Sequence, residues 1–167
     1  GEKNAYRYHQ LFREFLHSQL GEEYFRLIHQ VGTILMSRGE FEHAVRYFIA
    51  ARVEKDLVQA IVEAGRQALN SGKWQTVLHW LEAVPLEQQD DNPWLLLYRA
   101  EIEVYRGCIE EAEKWVKKAF ALFTASENTK GLTQTKILRA RVLRSRGEYF
   151  ESLELLRQVE GLIPSHD

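Results

Sequence analysis

The chain has 167 residues, of which 45% are apolar and 11% aromatic, with 22 Lys and Arg residues against 24 Asp and Glu residues. This apolar content can bury a core, so intrinsic disorder is excluded. A net charge of −2 provides no general attraction for a polyanion, which argues against a dedicated nucleic-acid-binding domain. The longest uninterrupted apolar runs, such as Trp94 to Tyr98, are far shorter than the roughly 20 residues that span a bilayer.

The cysteine content and the N-terminus indicate where the chain functions. The single cysteine, Cys108, cannot form an internal disulfide, and no charged-then-apolar signal segment opens the chain. We therefore expect a cytoplasmic location and no contact with membranes. Position 1 is Gly1 rather than Met, so we also expect the chain to be part of a longer protein.

The hydrophobic pattern predicts helices and no strands, because apolar residues recur at intervals of three and four and no segment alternates with period two. In chain order, the predicted helices cover residues 5–20, 22–38, 40–51, 53–70, 73–83, 93–106, 108–125, 130–146 and 148–161. Asn92 followed by Pro93 is typical of a helix start. The widest interruption, 85–91, is predicted to be an ordered loop between repeats.

Four glycines each separate one predicted helix from the next, and they recur at intervals of 33, 35 and 40 residues: Gly39, Gly72, Gly107 and Gly147. Such glycines suit a tight turn, because they adopt the left-handed conformation at little steric cost. Small residues lie seven positions before each glycine, where we expect the two helices of one unit to pack closely: Gly32, Gly65, Ala100 and Ala140.

This pattern resembles the tetratricopeptide repeat, although most aromatic residues of its first helix are absent. A period near 34 residues is typical of helical hairpins that bury their faces by stacking. The resemblance implies an all-α fold, a right-handed superhelix of stacked helical hairpins built from degenerate tetratricopeptide-like repeats. We expect an N-terminal helix over residues 1–21 and about four hairpins over 22–167.

Catalytic and metal-binding motifs are absent from the sequence: there is no phosphate-binding Gly-rich loop, no nucleophile elbow and no cysteine pair. We therefore expect no enzymatic activity, no catalytic residue, no metal ligand and no cofactor. Glu14-x-x-His17 and Glu40-x-x-His43 have the spacing of di-iron ligands, but stacked hairpins do not bring four such helices together. We interpret them as ordinary exposed pairs, and Cys108 as structural, since no base is identifiable beside it.

Five cations without an intervening acid lie near the C-terminus: Lys136, Arg139, Arg141, Arg144 and Arg146. One interpretation is a solvated face, partly balanced by acids of the following helix: Glu148, Glu151 and Glu154. The other interpretation is a site for an acidic ligand or partner.

The first helices of stacked hairpins line the concave surface, so we expect the binding groove there. An aromatic and acidic stripe lies on one such helix at spacings of four, three and four: Trp94, Tyr98, Glu101 and Tyr105. Rings beside charges suit a sugar, an aromatic metabolite or a peptide. The alternative is that Trp94 and Tyr98 belong to the core between repeats. The predicted effector- or partner-binding residues are Arg66, Trp94, Tyr98, Glu101, Tyr105, Arg141 and Arg144.

Three segments, in order, resemble MalT-like large ATP-binding transcriptional regulators of the LuxR family. Residues 6–16 are similar to the Tyr-His-x-Leu-Phe-x-x-Phe-Leu signature that ends the winged-helix segment of those proteins. Residues 39–51 resemble the hairpin of the family that contains Ala-x-x-His-Ala-x-x-Ala. Residues 71–113, with Trp80-Leu81-Glu82-Ala83-Val84-Pro85, are similar to the stretch that opens the helical-repeat sensor.

This resemblance implies a parent protein with an ATP-binding switch, a winged-helix segment, the repeat domain and a C-terminal helix-turn-helix. In such regulators the repeat domain helps to recognise the inducer, and inducer with ATP promotes the active, DNA-binding oligomer. We therefore expect an effector-sensing and protein-interaction domain that binds a small-molecule inducer or a partner on its concave face, and that contacts neither ATP nor nucleic acid itself. The alternative is a tetratricopeptide-like scaffold that binds a protein segment outside transcription.

Overall fold

The computed structural model describes residues 21–160, and within them the protein is all-helical, with nine helices and no strand. The helices are α1 (Glu22–Ser37), α2 (Phe41–Ala51), α3 (Glu54–Asn70), α4 (Trp74–Glu82), α5 (Leu86–Asp91), α6 (Pro93–Tyr105), α7 (Ile109–Ala125), α8 (Thr129–Ser145) and α9 (Tyr149–Glu160). The predicted helix over 5–20, with Glu14 and His17, lies outside the described residues. None of the nine helices is long and apolar enough to cross a membrane.

The eight predicted helices that lie within residues 21–160 are confirmed, each to within one residue at either end. The prediction of a loop over 85–91 is wrong, because Leu86–Asp91 forms the short helix α5. Gln89 attaches this helix to the preceding segment: its buried side-chain amide donates to the carbonyls of Leu81 and Val84, at 2.8 Å each. A six-residue polar helix is too short to show a periodic apolar pattern, so hydrophobic periodicity cannot detect it.

The predicted turn glycines are confirmed. All four adopt the left-handed conformation, with φ between 75° and 84°. At each turn the residue after the glycine donates its N–H to a carbonyl five residues earlier, as Cys108 does to Glu103 at 2.9 Å. Two further turns use a left-handed residue that is not glycine, Arg52 (φ 56°) and Glu127 (φ 51°). These two turns carry no glycine signal, so the glycine spacing does not locate them.

The chain divides into two compact units between Ala60 and Ile61, within α3. In the first unit, α1 packs against α2. Gly32 lies where the ring of Phe48 meets the α1 backbone, since a Cβ on Gly32 would lie 2.6 Å from Phe48 Cε1. This confirms the expected close packing of the two helices at this glycine.

In the second unit, each helix from α6 to α9 packs against the next, and α6 also contacts α8. A cluster of buried apolar residues contributed by α6, α7 and α8 forms its core: Leu96, Leu97, Ala100, Val116, Ala119, Phe123 and Leu138. The predicted small residue Ala100 lies in this core. The first helices of successive pairs, α6 and α8, are therefore joined both directly and through α7.

Two glycines of the second unit allow a ring to lie against a helix backbone. A Cβ on Gly65 would lie 2.5 Å from Tyr98 Cε2, and a Cβ on Gly131 would overlap the ring of Phe123. Tyr98 belongs to α6, so the ring nearest to Gly65 does not come from α4, the expected partner helix of its own unit. The large aromatic side chain that needs the space is contributed by the next helix pair.

We expect Gly107→Ala to lower the free energy of unfolding by about 1 kcal/mol, because a Cβ disfavours the left-handed conformation that this turn requires. Gly107→Asn is the matched variant, and it should cost less, since Asn tolerates this conformation better than Ala. Urea unfolding followed by circular dichroism measures both variants. Equal losses for Ala and Asn would contradict the conformational explanation.

Candidate functional site

A buried carboxylate in the middle of α6 lies at the centre of the candidate site. Glu101 accepts a hydrogen bond from Arg66 Nη1 of α3 at its Oε2, 2.7 Å away, and another from Arg141 Nη1 of α8 at its Oε1, 2.9 Å away. The Glu101 side chain is only 6% exposed, whereas the two arginines are 30% and 33% exposed. One carboxylate therefore links three helices, and each of its oxygens has a cationic partner.

Each arginine also lies over an aromatic ring of α6. The guanidinium carbon of Arg66 lies 5.4 Å from the ring centroid of Tyr98, and that of Arg141 lies 5.4 Å from the centroid of Tyr105. A cation over a ring face is attracted by the ring's quadrupole. Both guanidinium groups are thus held by a ring as well as by Glu101.

Tyr98 is a packed residue with one polar anchor. Its side chain is 1% exposed, its ring lies against Gly65, and its hydroxyl donates to the Val62 carbonyl at 2.8 Å. Burial raises the pKa of the Tyr98 phenol to about 12, because desolvation disfavours the phenolate more than the nearby Arg66 favours it. The phenol therefore stays neutral and donates its proton to the backbone.

A pocket of about 240 Å³ opens beside this cluster. Seven residues from α3, α6 and α8 line it: Val62, Glu63, Arg66, Trp94, Tyr98, Lys130 and Gln134. Lys130 is exposed and forms no ion pair within residues 21–160. The pocket therefore combines two cations, one carboxylate, one amide and two aromatic rings.

Side-chain caps at the starts of α6 and α8 position two residues of the pocket. Asn92 caps α6 by accepting from the N–H groups of Trp94 (3.0 Å) and Leu95 (3.3 Å), which confirms the predicted helix start. Asn128 caps α8 by accepting from the Gly131 N–H at 2.8 Å. Trp94 and Lys130 thus lie in the first turns of α6 and α8, where backbone N–H groups also favour negative charge.

Packing fixes the indole of Trp94 as one wall of the pocket. Its ring meets Phe123 edge to face, with 4.9 Å between centroids, and lies 6.4 Å from the ring of Tyr98. Phe123 in turn lies against Gly131. This stack supplies a rigid apolar surface next to the two cations, which suits a ligand with a planar apolar part and an anionic group.

The structure brings most of the predicted site residues together, in two roles. Arg66, Trp94 and Tyr98 line the pocket, whereas Glu101 and Arg141 form the ion-paired cluster beside it. Two predicted residues remain. Tyr105 is 44% exposed, and its ring supports Arg141. Arg144 is exposed, pairs with no acid of the described chain and does not line the pocket.

The pocket also includes four residues outside the predicted binding set: Val62, Glu63, Lys130 and Gln134. A spacing signal existed for two of them. Val62 and Glu63 precede Arg66 by four and three positions, so they share its helix face. Lys130 has no comparable signal, since it joins the pocket only because α8 lies against α6.

Three arginines of the basic cluster pair with acids of α6 and α7 rather than with acids of α9. Arg139, Arg141 and Arg146 lie 3.9, 2.9 and 2.9 Å from their partners, which are, in that order, Glu113, Glu101 and Glu110. Glu148, Glu151 and Glu154 of α9 were expected to balance the charge of the basic cluster. This expectation is wrong for these three cations. The reason is that α8 presents these cations to the helices that precede it.

The weaker sequence candidates do not converge on a site. His43 Nδ1 lies 3.9 Å from Glu40 Oε2, and both side chains are exposed. Cys108 is an exposed thiol immediately before α7. Over residues 21–160, no group of three or more His, Cys, Asp or Glu side chains could hold a metal ion.

Comparison of the chain with models of known protein families gives no match, and comparison with curated protein sequences gives none either.

We expect Glu101→Gln to lower the free energy of unfolding by about 2 kcal/mol, because two partly buried arginines lose their shared counter-charge. Glu103→Gln is the matched control: it lies on the same helix, is almost as buried, and has a single ion pair with a half-exposed arginine, Arg106. Its loss should be below about 1 kcal/mol. Chemical unfolding measures both losses, and a loss for Glu103→Gln as large as that for Glu101→Gln would contradict the role of the double pair.

The raised pKa of Tyr98 predicts a loss of stability at high pH. Above pH 10 the unfolded chain releases the phenolic proton while the folded chain retains it up to about pH 12. The free energy of unfolding should therefore fall by about 2 to 3 kcal/mol across this interval. Tyr98→Phe should remove this part of the pH dependence, which unfolding measured at a series of pH values reports. If the free energy of unfolding of the variant fell equally with pH, the raised pKa could not belong to Tyr98.

Proposed function

We propose that this chain is the effector-sensing and interaction domain of a MalT-like bacterial transcription regulator. In this proposal its helix pairs continue as a right-handed superhelix, and the pocket beside Glu101 binds a small-molecule effector. The observation that carries the proposal is this pocket, where Lys130, ion-paired Arg66 and the ring of Trp94 face one space. The repeated left-handed glycine turns and the contact of α6 with α8 support the repeat architecture.

The chemistry of the pocket favours an acidic ligand with a planar apolar part. An anionic group can lie near Lys130 and Arg66, while its apolar part covers Trp94. We infer that the ligand is an aromatic or otherwise unsaturated acid rather than an uncharged sugar, because the pocket contains more cations than anions.

The link between the pocket and Glu101 suggests how binding could become a signal. A ligand anion beside Arg66 competes with Glu101 for the same guanidinium. The ion pairs that join α3, α6 and α8 then change in strength when the ligand binds. A ligand shifts a conformational equilibrium only if it binds one state better than the other, and this competition provides such a difference.

The rest of the proposed regulator lies outside this chain. In the proposal, a separate part of the parent protein binds ATP, a helix-turn-helix contacts DNA, and the whole protein functions in the cytoplasm. This domain contributes the effector site and contacts with partner proteins.

The second candidate function, a scaffold that binds a protein segment, is favoured by the size of the pocket. A volume of about 240 Å³ lies below the roughly 300–1,000 Å³ of drug-sized ligand pockets. It would accept a single side chain of a bound peptide, such as an acidic residue held by Lys130. In that case affinity would come from the flanking peptide as well as from the pocket.

A thermal-shift assay and a calorimetric titration with indole-3-acetate, glucose and an acidic peptide test the proposal. Indole-3-acetate should stabilise the protein, by about 2.7 kcal/mol at 100 times its dissociation constant. Lys130→Gln should weaken binding about tenfold, because the pocket loses a cation. Lys136→Gln, on the same helix but outside the pocket, is the control and should bind normally. Binding of the peptide alone would favour the scaffold, and equal effects of both lysine variants would contradict the pocket.

A further inference from the structure

The pocket beside Glu101 contains a carboxylate as well as two cations. Glu63 of α3 lines it together with Arg66 of the same helix and Lys130 of α8. The cations and the ring of Trp94 suit an acidic ligand with an apolar part, but Glu63 does not. A ligand anion in this space lies near a carboxylate of like charge, which disfavours its binding. The pocket therefore contains one group that a simple carboxylic acid leaves unsatisfied.

The contacts of α6 define how the three helices that line the pocket are aligned. Arg66 and Arg141 contact Glu101 from 35 positions before it and 40 positions after it. Tyr98 contacts the carbonyl of Val62, which lies 36 positions before it. Because these two contacts have nearly the same offset, α3 and α6 run in the same direction. The turn glycines after α6 and α8 are also 40 positions apart, so the offset of 40 relates α6 to α8.

These offsets give the order of the charged groups along the helix axes. Lys130 of α8 lies four positions, about one helical turn, before the level of Trp94 on α6. Glu63 of α3 lies four positions beyond that level, and Arg66 follows Glu63 by three positions. The carboxylate of the pocket is therefore positioned between its two cations, on the far side of the indole from Lys130.

Both charged residues of α3 can bind a further polar group. Burial is the main cause of the raised pKa of Tyr98, Arg66 opposes it, and the negative charge of Glu63 adds to it, so this charge lies close to the phenol. A carboxylate accepts several hydrogen bonds, and Glu63 can therefore accept from a ligand in addition to its contacts within the protein. Arg66 Nε is buried and donates to no group of the described residues. Its guanidinium is thus not fully satisfied by Glu101.

We propose that the ligand of this pocket is a free aromatic α-amino acid, bound as its zwitterion. This inference rests on the proposed function, because it uses the same pocket and the same cations. The ligand carboxylate lies near Lys130 and Arg66, its ammonium group donates to Glu63, and its ring lies against Trp94. An ammonium group and a carboxylate on one carbon atom match a carboxylate that lies between two cations. The volume of about 240 Å³, below the range of drug-sized pockets, suits such a small metabolite.

Isothermal titration calorimetry of the 167-residue chain with three indole compounds tests the proposal. They are L-tryptophan, indole-3-propionate, which lacks only the ammonium group, and tryptamine, which lacks only the carboxylate. L-tryptophan should bind about fivefold more tightly than indole-3-propionate, because its ammonium group gains a charged acceptor and removes the repulsion by Glu63. Tryptamine should bind most weakly, because it brings a cation to a pocket with two cations and one carboxylate.

Three variants separate the roles of the charged groups. Glu63→Gln should reduce the preference for L-tryptophan over indole-3-propionate to below about twofold, because the charged acceptor is lost. Glu82→Gln is the matched control, since Glu82 is exposed and does not line the pocket, and it should keep the fivefold preference. Lys130→Gln should weaken both ligands about tenfold and leave their ratio unchanged, because they share the carboxylate. Circular dichroism should show all variants to be equally helical.

The outcomes distinguish this inference from the proposed function. If indole-3-propionate binds as tightly as L-tryptophan and Lys130→Gln weakens it, the zwitterion is wrong and the acidic effector stands. A preference for L-tryptophan that persists in Glu63→Gln would also overturn the zwitterion. If none of the three compounds binds, or if tryptamine binds most tightly, both the zwitterion and the acidic effector are overturned.

Discussion

The shared carboxylate of Glu101 is the constraint on which the arrangement around the pocket depends. A charge that is 6% exposed is costly unless it is paired, and here each oxygen accepts a hydrogen bond from a different arginine. Because Arg66 and Arg141 come from α3 and α8, satisfying this one group positions three helices together. The pocket lies between the same helices, so the ion pairs and the ligand surface share Arg66.

Close approach of rings to backbone is the second requirement. The rings of Phe48, Tyr98 and Phe123 each lie against a glycine of a helix, where any side chain would collide with them. These large aromatic side chains thus lie directly against a helix backbone. Near the pocket this geometry fixes Tyr98, whose ring supports Arg66 and whose neutral hydroxyl anchors to α3.

Charge is the second feature of the pocket beside Glu101. Arg66 and Glu101 lie partly out of water, where their interaction is stronger than at the surface. The proposed function depends on this pocket.

The helices and their glycine turns could be predicted from the sequence, because both are local: a 3.6-residue apolar period and a residue tolerant of positive φ act over a few positions. Tyr98 and Glu101 could be nominated for the same reason, as part of a stripe on one helix face, and Arg66 and Arg141 from the alignment of the repeats. The ion pairs of Glu101 with the two arginines could not be predicted, since contacts between residues 35 and 40 positions apart depend on which helices pack together. Tertiary packing alone likewise decided that α5 is a helix, that Tyr98 lies against Gly65 and that Lys130 lines the pocket. No local pattern specifies which distant surface fills a given space.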